Sequence, residues 1–90
     1  MFWLPAPCTE NPEFKKLFFD HINTVEKFTV EQITATKHTI AEKAFKKSLE
    51  FLAKYTKVST DKAYKDMGAY LSDRSVWLNW YEANKCNDLK

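Results

Sequence analysis

Between Glu13 and Lys57 the chain carries neither glycine nor proline, and its apolar positions recur every eleven residues. Phe18, Thr29, Ile40 and Phe51 form one line and Ile22, Ile33, Ala44 and Tyr55 a second. A third runs through Phe14, Val25, Thr36 and Val58, interrupted at Lys47. Eleven residues make three turns at about 3.67 per turn, so such lines stay on one face of a nearly straight helix. The pattern predicts a first helix over residues 11–57, opened by Asn11 as N-cap, Pro12 at the first helical position and Glu13 at the positive end of the dipole. A second apolar group, Phe45, Leu49 and Leu52, is rotated away from the line through Ile22, Ile33 and Ile40. Either the helix breaks near residues 37–42, or its later half is contacted on two sides.

Val58, Ser59 and Thr60 read as a turn into a second, antiparallel helix over residues 61–83, capped by Ser59 or Thr60 with Asp61 in the first turn. Tyr64, Leu71 and Leu78 form one heptad line, Ala63, Tyr70 and Trp77 an adjacent one, and Met67 and Tyr81 widen the face. Gly68 falls inside this helix and reads as a place where another backbone or ring comes close. Pro5 and Pro7 make residues 1–10 an extended arm whose Phe2, Trp3 and Leu4 need a docking place, and residues 84–90 read as a tail. The fold class is therefore all-α and a single domain over residues 1–90: a helical hairpin or bundle completed by self-association. Phe45, Leu49, Leu52, Tyr64, Met67, Leu71, Trp77 and Leu78 are the expected helix-pair packing. A 23-residue helix covers only about half of a rod twice its length. The stripe Phe14, Phe18, Ile22, Val25, Ile33, Ile40 and Phe51 is thus the expected contact face for further copies, partner protein helices or a hydrophobic surface.

Composition adds limits. With 44% hydrophobic and 29% charged residues the chain is too apolar for intrinsic disorder. The net charge is +2, and Arg74 is the one arginine, so bidentate recognition of phosphate or bases is poorly served and no nucleic-acid partner is expected. Charge is uneven, however: residues 43–65 hold seven lysines against Glu50 and Asp61. A solvated helix face is the plainer reading of that run, and an anionic partner the sharper one. No stretch approaches the roughly 20 apolar residues of a membrane span. Cys8 and Cys86 are too few and too far apart for a disulfide framework or a zinc site, so free thiols in a cytoplasmic setting are expected. His21 and His38 lack metal-ligand spacing, and a single glycine leaves no phosphate-cradling loop. No catalytic residue, metal or cofactor is expected.

At the junction of the two helices, Phe45, then Phe51-Leu52-x-Lys54, then Val58, then Asp61-Lys62-Ala63 resemble the phasins, small helical proteins that coat bacterial polyhydroxyalkanoate granules. The likeness covers about residues 45–75. It implies a non-catalytic amphipathic protein that self-associates and adsorbs on a hydrophobic polymer granule. Threonines on the apolar face agree with reversible adsorption, because a hydroxyl tolerates a wet interface better than a dry core. The many phenylalanines favour the alternative, a small structural or adaptor subunit held in a larger protein assembly.

Overall fold

The computed structural model describes residues 10–58 and 64–86. Three helices follow in order, α1 (Pro12–Ile33), α2 (Glu42–Thr56) and α3 (Met67–Asn84), and no strand occurs among the described residues. The fold is all-α, and of the two readings left open for residues 11–57 the break is the one observed, over residues 34–41. The expected cap at Ser59 or Thr60, the arm over residues 1–9 and the end of the tail lie outside the described residues.

α1 starts as its sequence dictates. Asn11 Oδ1 accepts from the backbone N–H groups of Glu13 and Phe14, each at 3.0 Å, and Pro12 occupies the first turn, where its missing donor costs nothing. The other end stops without glycine or proline. Ala35 takes the left-handed conformation at φ 55°, Thr36 N–H returns to Glu31 C=O at 3.0 Å, and Ala35 N–H returns to Gln32 C=O at 3.4 Å. This paired closure satisfies carbonyls that a helix end would leave open. The Glu31 carboxylate then holds the chain beyond, accepting from Thr39 N–H at 3.0 Å and from the Thr39 hydroxyl at 2.6 Å. Threonines that compete for backbone partners thus turn a continuous apolar pattern into a loop over residues 34–41.

α2 runs back along α1. Phe51 meets Phe14 at a tilt and Tyr55 meets it edge-on, Ser48 meets His21, and Phe45 lies face to face with Phe28 at 4.3 Å. α3 is also antiparallel to α1, since Tyr70 reaches Glu26 while Tyr81 packs on Phe18 and Phe19. α2 and α3 therefore point the same way. α3 begins six residues later than its sequence pattern predicts, with Asp66 as cap accepting from Ala69 N–H at 2.9 Å. Gly68 consequently sits in the first turn and is exposed. A side chain there would meet the Asp66 carboxylate oxygen at 3.1 Å, so its neighbour is the cap and not another helix.

One core joins the three helices. Phe14, Phe18, Ile22, Val25 and Phe28 of α1 meet Phe45, Leu49 and Leu52 of α2 and Tyr70, Trp77 and Tyr81 of α3, with Tyr64 closing the end. Their removal from water is the main favourable contribution to such a fold, at about 1.5–3 kcal/mol per large side chain.

Candidate functional site

The stripe read from the sequence as a contact face divides in two. Phe14, Phe18, Ile22 and Val25 are buried within the chain's own core, and Phe51 and Ile40 are partly buried against it. Those six do not form a free face. Ile33 alone of the stripe is exposed, at 37%, because α1 ends there and the register is lost in the following loop. Thr29, expected at a wet surface, is wholly buried with its hydroxyl unbonded, whereas Thr36 is exposed in the loop. Of the packing residues, Phe45, Leu49, Leu52, Tyr64 and Trp77 are buried and Met67 and Leu78 partly so. Leu71 is 47% exposed and falls outside the packing, because the face of α3 is centred on Tyr70, Trp77 and Tyr81. Tyr70 and Tyr81, on the apolar face read for the second helix, are core residues too, and Phe28 is a core residue that belongs to none of the eleven-residue lines. Phe28 stands three residues after Val25, a spacing that would have placed it beside the stripe.

The ionisable side chains mostly serve the fold. Each of the buried tyrosines around α3 donates its hydroxyl to a carboxylate: Tyr64 to Asp73 at 2.8 Å, Tyr70 to Glu26 at 3.0 Å and Tyr81 to Glu10 at 2.7 Å. Burial, then the carboxylate bond, raises all three hydroxyl pKa values, Tyr81 to about 12. In return the Tyr81 hydroxyl holds the Glu10 carboxyl below its ordinary range. Arg74 also approaches Glu26, at 3.8 Å, so α1 and α3 are joined by a three-membered polar tie at the edge of the core. Trp77 Nε1 is buried with no hydrogen-bond partner, a cost of about 1–3 kcal/mol accepted beside these ties.

Two histidines sit at the α1–α2 seam. His21 Nδ1 and Ser48 Oγ share a 2.8 Å hydrogen bond, and the imidazole stacks on Phe51 at 4.2 Å. Ser48 is only 3% exposed beneath that seam, which leaves a substrate no approach to its hydroxyl. His38 stacks on Phe28 at 4.5 Å and bonds Gln32 at 3.0 Å, lining with Thr39, Ile40, Ala41 and Glu42 a cleft at the loop end of the bundle. Among the described residues no three His, Cys, Asp or Glu side chains converge as metal ligands, and no helix is long and apolar enough to cross a membrane.

The seam and loop make stability fall in acid. Burial lowers the His21 pKa, against the opposing pull of Asp20, and the Thr39 hydroxyl, with the Thr39 and Ile40 N–H groups, lowers that of Glu31. Both groups bind protons more weakly folded than unfolded, so the stability they contribute is present above their ordinary values and lost as pH falls toward the folded ones. The melting temperature should decline first below pH 6.5, through His21, and further below pH 4.5, through Glu31. His21→Gln should remove the first decline and keep the second. A melting temperature constant from pH 8 to pH 5, about the span over which an ordinary histidine changes charge, would contradict this reading.

Cys86 is disulfide-bonded, which overturns the expectation of free thiols. Cys8 is the other cysteine in the sequence. Outward of the core, α2 presents Lys43, Lys46, Lys47 and Lys54, with Lys57 at its cap, all exposed, while among the described residues Leu17, Val30, Ile33, Leu71 and Val76 are the large exposed apolar side chains. No protein-family model matches the chain, and neither the curated proteins nor the solved structures contain a significant match to it.

Proposed function

We propose that the chain is a non-catalytic helical binding module, a small structural or adaptor subunit of a larger protein assembly. The observation that supports this over a surface coat is the burial of Phe14, Phe18, Ile22 and Val25 under α2 and α3 of the same chain. A protein that spreads its stripe on a polymer would have to open this core and lose the stability it supplies. The carboxylates that could serve chemistry are instead engaged by tyrosine hydroxyls and by the loop after α1. Contacts with partner helices, or with further copies, then fall on the outer surfaces of the bundle. The disulfide at Cys86 supports an oxidising compartment as the setting of this work.

A second reading, the phasin-like coat, is favoured by Val30 and Ile33, neighbours on one flank of α1 that remain 41% and 37% exposed. Co-sedimentation with polyhydroxybutyrate particles separates the two, with mass read in parallel by light scattering. The adaptor reading expects a folded species of defined mass that stays in the supernatant. Sedimentation of the native chain, abolished by Val30→Asp with Ile33→Asp in a protein of unchanged helicity, would establish the coat reading instead.

A further inference from the structure

We propose that the outer ridge of α2 is a docking surface for an anionic lipid bilayer. Lys43, Lys47, Glu50 and Lys54 recur at i, i+4, i+7 and i+11, which sets them in one line about 16 Å long on the helix surface, and Lys57 follows as the left-handed cap at its end. All are exposed, and Lys46 stands beside them, partly engaged by Glu42 at 3.5 Å. Five lysines against Glu42 and Glu50 leave +3 on a single 16-residue segment, more than the +2 of the whole chain. The α1–α2 packing forces this placement: Phe45, Leu49 and Leu52 turn inward, so the lysines have to turn out.

The occupant follows from what lies beside the ridge and what does not. On α2 the adjacent ridge, Ser48, Phe51 and Tyr55, meets α1, and Lys54 Nζ stands 5.5 Å from the Tyr55 ring centre. The α1 ridge facing it runs through His21 and Phe28 and begins at Leu17, which is 46% exposed. Lysines bordered by partly buried aromatic rings and an exposed leucine suit a headgroup plane, where ammonium groups meet phosphate and the apolar margin reaches the first methylenes. A second copy offers no match on α1, since its exposed charges, Glu13, Lys15, Lys16, Asp20 and Lys27, are mixed in sign and form no acidic face. Nucleic acid is disfavoured because α2 carries no arginine to fork onto phosphate or a base edge. The groove lined by Glu42, Lys43, Lys46, Lys47 and Glu50 lies along one helix only and encloses no small ligand.

This inference rests on the charge pattern of α2 and stands apart from the adaptor reading. Its test is binding to phosphatidylglycerol vesicles and to phosphatidylcholine vesicles at low and high salt, with a DNA duplex as a competing polyanion. The expected result is sedimentation with phosphatidylglycerol only, weakened by salt, and reduced by on the order of tenfold or more in Lys47→Glu with Lys54→Glu. Lys47→Arg with Lys54→Arg should keep binding, and circular dichroism should show the same helix content in all forms. Absence of vesicle binding, equal binding to neutral lipid, indifference to charge reversal or a preference for DNA would each overturn it.

Discussion

Replacing Phe18 by alanine is expected to cost about 3–5 kcal/mol, the range for deleting a buried phenylalanine. Phe18 is wholly buried and lies where the three helices meet, with Phe14 and Phe19 of α1, Phe51 of α2 and Trp80 and Tyr81 of α3 around its ring. No one of these neighbours can fill the vacated volume without leaving its own contacts, so the cavity persists. A 90-residue domain holds roughly 5–13 kcal/mol in all, at about 0.05–0.15 kcal/mol per residue, so the loss should bring the fold near its limit. Ile33→Ala is the informative partner. It belongs to the same eleven-residue pattern, yet the residue is exposed, and its replacement should change stability by less than about 0.5 kcal/mol. Urea unfolding of both variants checks the pair. Equal costs would mean that the stripe is one continuous face, as the sequence alone suggests, and that the bundle does not divide it.

Reduction of the disulfide is expected to lower stability by about 2–5 kcal/mol and the melting temperature by 10 °C or more, at roughly 4–8 °C per kcal/mol for a domain of this size. A bond that ties Cys86 to a distant part of the chain closes a loop and removes entropy from the unfolded state, the more so the longer the loop. The Tyr81–Glu10 bond and the approach of Lys15 to Glu10 at 3.7 Å hold the same end of the molecule by weaker means. Cys86→Ser should reproduce the reduced state and make the melting temperature insensitive to reductant. Thiol counting by mass spectrometry reads the same bond directly. Two alkylatable thiols in the unreduced, denatured protein, or a melting temperature that reductant leaves alone, would contradict the prediction.

The two predictions turn on different kinds of information. The helices of the described residues, the start of α1 at Asn11 and Pro12 and the inward face of Phe45, Leu49 and Leu52 all follow from local propensity, capping and side-chain spacing. These act between residues a few positions apart and can be read from a single chain. The same is true of the lysine line on α2, because alternate ridges of one helix must face opposite ways.

What the chain by itself did not decide is where the long apolar pattern stops and what covers it. No glycine or proline marks the end of α1. The stop is made by a left-handed Ala35 and by a Glu31 carboxylate that binds Thr39 eight residues later, a side-chain bond that exists only once the loop has turned. The break lets α2 fold back on α1, and α3 then covers the rest, so a stripe that looks too long for its own chain is largely used up inside it. Sequence therefore determined which residues are apolar and on which side of each helix they stand. Tertiary structure decided whether that side meets the chain itself or a partner, because burial depends on contacts between residues far apart in sequence, such as Tyr70 with Glu26 and Tyr81 with Glu10, that no local periodicity encodes.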